Sequence, residues 1–141
     1  MHKTLFLLMV ILVTQLTACG GSDDDGNALM RPGENCLAGG CHSAGSDKPF
    51  TVAGTVFATP GAASSAGLAN VSVVVTDANG VNTTLTTNAA GNFYTGAAMA
   101  QPLASVYVLR GTTRTDMGGA PRGDCASCHV AGSKLGYVYA N

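Results

Sequence analysis

The chain carries very little charge: Asp, Glu, Lys and Arg make up 11% of its 141 residues and leave a formal net charge of −1. With no cluster of Lys or Arg anywhere, it lacks the electrostatic footprint that binding to a phosphate backbone needs, so no nucleic-acid partner is expected. Tryptophan is absent and aromatics reach only 6%, whereas there are 19 glycines among abundant Ala, Thr and Val. That mix points to a β-rich exported domain rather than a helical one, and the length to a single small domain. Also missing are paired catalytic carboxylates in a recognisable frame, a nucleophile elbow and a phosphate-cradling glycine loop. An electron carrier or binding module is therefore expected before an enzyme.

The apolar run at the amino terminus, Leu5 to Val13, is nine residues long and too short to span a bilayer. Lys3 precedes it and Leu16-Thr17-Ala18-Cys19 follows, giving a basic region, an apolar region and a small-residue cleavage site in order. In this the chain resembles bacterial lipoprotein precursors. The resemblance implies a signal peptide over residues 1–18, cleavage before Cys19 and acylation of its thiol and amine, with several acyl chains anchoring the protein firmly. Gly20 after the cysteine implies the outer membrane of a Gram-negative cell. Residues 19–35 read as a lipidated flexible tether, since Gly20-Gly21-Ser22-Asp23-Asp24-Asp25-Gly26 is too polar and glycine-rich to pack. The adjacent Asp23, Asp24 and Asp25 lack the alternating spacing of a calcium loop and read as a solvated spacer.

Beyond Cys19 the chain holds four cysteines, Cys36, Cys41, Cys125 and Cys128, and two histidines, His42 and His129. Each histidine directly follows a cysteine pair. Cys125-Ala126-Ser127-Cys128-His129 is a complete C-x-x-C-H, the attachment motif of c-type haem. Two thiols must reach the two vinyl groups on one porphyrin edge while the next side chain turns its imidazole to the iron, and a short turn meets all three demands. Cys36-Leu37-Ala38-Gly39-Gly40-Cys41-His42 is the same frame with four residues between the thiols, the extra length falling on Gly39-Gly40. The two sites also continue alike, as His42-Ser43-Ala44-Gly45-Ser46 and His129-Val130-Ala131-Gly132-Ser133. In these segments the chain resembles small dihaem c-type cytochromes. The resemblance implies two covalent haems c, held by Cys36, Cys41, Cys125 and Cys128 and ligated by His42 and His129.

No further histidine remains beyond the leader, so two bis-histidine haems cannot form within one chain. Met30, Met99 and Met117 are the distal candidates, Met30 six residues before Cys36 and Met117 eight before Cys125. Methionine opposite histidine raises a haem's potential, whereas an open position would admit small ligands, as in a gas sensor or peroxidase. Lys48 and Lys134 are further possible ligands. The same cysteines also allow other readings. Cys36–Cys41 and Cys125–Cys128, or a crossed pairing, could be disulfides stapling a surface-binding module, or the pairs could close a zinc site.

Between His42 and Cys125 lie 82 residues that alternate apolar and polar, with turn signals at short intervals. This predicts an antiparallel β-sandwich. Val52, Gly54 and Val56 share one strand face, Val71, Val73 and Val75 the next stripe, and Asn79-Gly80 supplies a hairpin turn. Val81, Thr83 and Leu85 return, Asn88-Ala89-Ala90-Gly91 turns into Asn92-Phe93-Tyr94-Thr95, Leu103–Leu109 predicts a central strand, and residues 136–140 predict the last. Val52-Ala53-Gly54-Thr55-Val56, Gly67-Leu68-Ala69-Asn70-Val71-Ser72-Val73 and Thr87-Asn88-Ala89-Ala90-Gly91-Asn92-Phe93 resemble the carboxypeptidase regulatory-like, transthyretin-like sandwiches. The resemblance implies an immunoglobulin-like sandwich of about seven strands over residues 36–141, with haem-binding loops near both ends. If the first and last strands are neighbours, the two motifs meet at one end of the domain. Tyr137 and Tyr139 share a face of that last strand and could meet a porphyrin or the core. Electron transfer with other redox proteins of the envelope is the function these features suggest.

Overall fold

The computed structural model describes residues 29–141; the expected signal peptide, the acylated Cys19 and the aspartates at 23–25 lie outside the described residues. The described chain is an all-β sandwich. Its strands are β1 (Val52–Phe57), β2 (Ser72–Thr76), β3 (Asn82–Thr86), β4 (Asn92–Thr95), β5 (Leu103–Arg110), β6 (Thr113–Ala120), β7 (Gly123–Asp124) and β8 (Val138–Tyr139). One sheet runs β3-β2-β5-β6, antiparallel throughout. In the other, β4 pairs antiparallel with one edge of β1, while β7 and β8 run parallel to β1 along its opposite edge.

The core lies between the sheets. Val52, Val56 and Phe93 from one face Val73, Val75, Val106 and Val108 from the other, with Leu103 and Ala140 closing the ends. Cross-strand register pairs Val73 with Val108 and Val75 with Val106, so β-branched side chains meet across the ladder where they pack best. Each such buried side chain contributes roughly 1.5–3 kcal/mol of transfer free energy. β5 is central, as its sequence predicts, yet only Leu103, Val106 and Val108 are fully buried, the three-residue step between the first two falling at a shift in the β5–β6 register.

The two hairpin turns share one device. Asp77 Oδ1 accepts the backbone N–H groups of Asn79 and Val81, and Asn88 Oδ1 those of Ala90 and Asn92, so a side chain two residues upstream closes each turn. Gly80 takes the positive φ, 80°, that the Asn-Gly turn requires. Asp77 also reaches further, its Oδ2 accepting the N–H of Ala100 from the loop before β5. Direct backbone donation, from Val81 foremost and from Ala100 and Asn79, holds its carboxyl below the ordinary value of 3.8.

β1 is buried at all six residues because a second layer covers its outer side. Tyr137 stacks on Phe57 with ring centroids 4.2 Å apart. Beside it the segment from Met30 to Cys36 is strapped to the sheet. The N–H of Gly33 donates to Thr55 Oγ1 at 2.9 Å, that hydroxyl donates to Asn92 Oδ1 at 2.7 Å, and Asn92 Nδ2 donates to the Met30 carbonyl at 2.6 Å. Thr55 and Asn92 are both 5% exposed, so the strap's backbone supplies partners that two buried polar side chains need. Residues 30–35, compositionally part of the tether, are thus docked on the domain.

Candidate functional site

The second motif is built on the β1 edge. β7 lays Gly123 and Asp124 beside Val52 and Ala53, the chain departs as a single 3-10 turn over Cys125–Ser127, and it rejoins the same edge as β8 beside Val56 and Phe57. The turn folds C-x-x-C-H back on itself, with the N–H groups of Cys128 and His129 both donating to the Cys125 carbonyl, at 3.3 and 3.0 Å. Cys125 packs against the core and Cys128 faces solvent. Gly54 makes room for the former, since a Cβ there would lie 2.8 Å from Phe93 Cζ and 3.0 Å from Cys125 Cβ. Burial foremost, then repulsion from Asp124 and from the nearby Cys36 and Cys128 thiols, pushes the Cys125 thiol up to about 12. It is held as the neutral thiol.

His129 is fixed at both nitrogens. Its Nδ1 is 3.1 Å from the Gly136 carbonyl, which can only accept, so Nδ1 carries a proton. The other nitrogen, Nε2, lies 3.1 Å from the sulfur of Met117. Met117 comes from the edge strand β6, where Val106 pairs with Gly118 and Tyr107 with Asp116, leaving Met117 as the extra residue of a β-bulge. Gly118, at φ 81°, accommodates the kink. Alternation after Asp116 turns the thioether to the inner side of the strand, and the bulge puts Gly118 in its place opposite Val106.

These groups share a small open cleft of about 90 Å³, lined by Cys125, His129 and Met117 together with Val106, Tyr137 and Tyr139. Its walls are mostly apolar with a few convergent polar atoms. Tyr137 serves both readings made of it, stacking on Phe57 and lining the cleft.

The first motif lies across the strap. Gly39 and Gly40 both take positive φ, 72° and 85°, where the spacing placed the extra length. His42 repeats the anchoring seen at His129, its Nδ1 lying 2.7 Å from the carbonyl of Lys48. Its ring stacks on Phe50 at 3.9 Å, and Phe50 stacks on Tyr94 at 4.6 Å, which fixes the imidazole plane. Burial raises the Cys36 thiol, which sits three residues beyond the strap's contact with Thr55. The thiols of Cys36, Cys125 and Cys128 are free and Cys41 is in a disulfide, so neither motif is closed by a bond between its own cysteines. Among the described residues no three His, Cys, Asp or Glu side chains converge as a closed metal cage would require.

The structure therefore brings together Cys125, His129 and Met117 and sets Cys36 near them. Met99 packs against the core, and Met30, 41% exposed, is tied through its carbonyl to Asn92. Lys48 contributes its backbone to His42, and Lys134 is exposed in the loop before Gly136. Sequence reading missed Gly54, the Phe50–Tyr94 stack and the two anchoring carbonyls. Only Gly54, a glycine inside an apolar strand, carried a signal, that of close backbone approach. Comparison with known proteins found no matching family model, curated protein or solved structure.

Proposed function

We propose that this chain is an envelope electron carrier whose two cysteine–histidine motifs hold covalent haems c. The observation that carries the reading is the matched anchoring of His42 and His129. In each, Nδ1 donates to a backbone carbonyl six or seven residues downstream and Nε2 is left as the lone-pair donor. Metal-ligating histidines are held in this way, because the outer hydrogen bond fixes tautomer and ring orientation and raises basicity at the inner nitrogen. The donor types are those such a group needs. Cys125 and His129 line the apolar cleft with Phe93, Tyr137 and Tyr139, Cys128 faces solvent from the same turn, and the cleft, at about 90 Å³, would have to widen to admit the group.

When bound, haem c supplies a one-electron ferrous/ferric couple. The chain's own residues do the rest. Cys125 and Cys128 would tether one group and Cys36 and Cys41 the other. His42 and His129 present fixed imidazoles, and Phe50 holds the ring plane of His42. Val106, Tyr137 and Phe93 keep water from one side of the cleft. No substrate bond is made or broken, and partners of the envelope exchange electrons at the open mouth. Cys36 lies near enough to Cys125 to act on its thiol, and His42 stacks on Phe50 just before β1, so the first motif adjoins the strand that carries the second, which favours exchange between them.

The test is intact mass with a pyridine haemochrome assay on protein exported by a host carrying the cytochrome maturation machinery. Two haems per chain are expected. Attachment at the first motif requires Cys41 as a free thiol, so a chain with one haem would leave Cys41 in its disulfide and Cys36 as a free thiol, and restrict the function to the second motif. A chain with none would overturn the reading in favour of a stapled, haem-free surface module.

A further inference from the structure

We infer that the cleft beside the second motif binds a single soft cation, copper(I), held in the haem-free chain by His129 Nε2, the Met117 thioether and the Cys125 thiolate. The inference goes beyond the haem reading and does not rest on it. A haem attached here would consume Cys125 and His129, so the two occupants exclude one another, and the cleft, at about 90 Å³, has the size for an ion. Holding one water takes about 10–15 Å³, so an ion enters without rearrangement of the walls.

Three observations carry the site. The Met117 sulfur lies 3.1 Å from His129 Nε2, the ring nitrogen that the Gly136 carbonyl leaves unprotonated. A thioether carries no proton either, so two lone-pair donors face each other, a repulsion that a shared cation turns into two bonds. The separation is also that of neighbouring ligands on one small ion. With bonds of about 2.0 Å to nitrogen and about 2.3 Å to sulfur, donors 3.1 Å apart subtend about 90° at the metal, and opening to about 3.5 Å reaches the tetrahedral angle. Met117 is 38% exposed on the edge strand β6, and its unbranched torsions supply those few tenths of an ångström. Lastly, Cys125 lines the same cleft and adds a third soft donor from the turn whose hydrogen bonds place His129.

The imidazole is supported from behind. Gly136 donates its own N–H to the Ser133 carbonyl, and Tyr137 donates to the Pro60 carbonyl. A Cβ at Gly136 would lie 2.6 Å from Pro60 Cβ, so glycine is what lets this carbonyl sit close behind the ring. Outer hydrogen bonds of this kind fix a ligating histidine before the metal arrives. The donors also select the metal, because thiolate and thioether together favour copper(I), whereas zinc sites draw on Cys, His and carboxylates. Copper stays monovalent throughout, and on binding the Cys125 thiol releases its proton to solvent.

The experiment titrates copper(I) anaerobically into protein exported by a host lacking the cytochrome maturation machinery, in competition with bicinchoninate, and reads the ligand shell by X-ray absorption. Wild type is expected to take one ion per chain with one nitrogen and two sulfur neighbours. Met117→Leu keeps the bulk and removes the donor, and should weaken binding at least about tenfold and delete one sulfur from the shell. Cys125→Ser should delete the other. Cys128→Ser and Met99→Leu should bind as wild type, since Cys128 faces solvent and Met99 packs against the core. Wild type that takes no copper(I), or affinity unchanged in Met117→Leu, overturns the inference. Loss in Cys128→Ser with Met117→Leu unaffected overturns it as well, giving the ion to the cysteine pair. Haem attachment is decided separately, by the mass of protein exported with the maturation machinery.

Discussion

Replacing Gly54 with alanine tests whether the strand edge and the second motif are packed as tightly as described. The added methyl carbon would lie 2.8 Å from Phe93 Cζ and 3.0 Å from both Phe93 Cε1 and Cys125 Cβ, closer than carbon atoms approach without displacement. None of these neighbours yields easily. Phe93 is 1% exposed within the core, and Cys125 opens a turn whose carbonyl accepts two hydrogen bonds. Overpacking of this kind costs about 1–3 kcal/mol. Alanine in a strand recovers about 0.5–1 kcal/mol of backbone entropy relative to glycine, so the net loss should be about 1–2 kcal/mol. For a domain of this size that is a fall in Tm of roughly 5–10 °C. Urea denaturation should show a lowered midpoint with an unchanged slope. Phe93→Leu in the same chain should relieve part of the clash, leaving the double variant more stable than the sum of the singles by about 0.5–1 kcal/mol. A Gly54→Ala protein as stable as wild type, or a double variant that is merely additive, would refute the packing argument.

Two further outcomes follow from the polar clusters. Asp77 is held below its ordinary value by backbone donors. Its contribution to stability is therefore complete above pH 3.8 and is lost as pH falls below that through the depressed folded value. Asp77→Asn should lower stability at neutral pH, because one amide group would oppose the Ala100 N–H, and should flatten the decline between pH 4 and pH 2. Parallel acid profiles for variant and wild type would count against it. Asn92→Ala removes the acceptor of the Thr55 hydroxyl and the donor to the Met30 carbonyl. A loss of about 2 kcal/mol is expected, along with faster proteolysis between residues 29 and 36. Unchanged cleavage there would show that the strap is held by something else.

The elements built from local rules were readable in the sequence. The β2–β3 hairpin and the turn into β4 follow from Asn79-Gly80 and Asn88 to Gly91, and the β-branched stripes of β1, β2 and β5 give the core. β6 was not readable, since Thr113–Ala120 is polar and glycine-rich, as an edge strand with little to bury can be. Nor did the sequence disclose that β7 and β8 run parallel to β1. That pairing joins residues about 70 to 80 positions apart and depends on the whole fold. The candidate site divides in the same way. Covalent spacing displayed the cysteines and histidines, and an inventory of sulfur donors included Met117. The carbonyls of Lys48 and Gly136 could not be read, because every residue has a carbonyl and only the fold chooses which one faces an imidazole.

The placement of the second motif on β1 has an engineering consequence. Its loop leaves the strand beside Ala53 and returns beside Val56, three residues on, a separation of about 10 Å at strand rise. The sandwich therefore sees residues 125–137 as an excursion from a single edge, with entrance and exit on one rigid rail. Such a cassette is portable. Another sandwich could receive it by offering a parallel edge, a glycine at the equivalent of Gly54 and core partners for Cys125 and Tyr137 like those that Phe93 and Phe57 provide here.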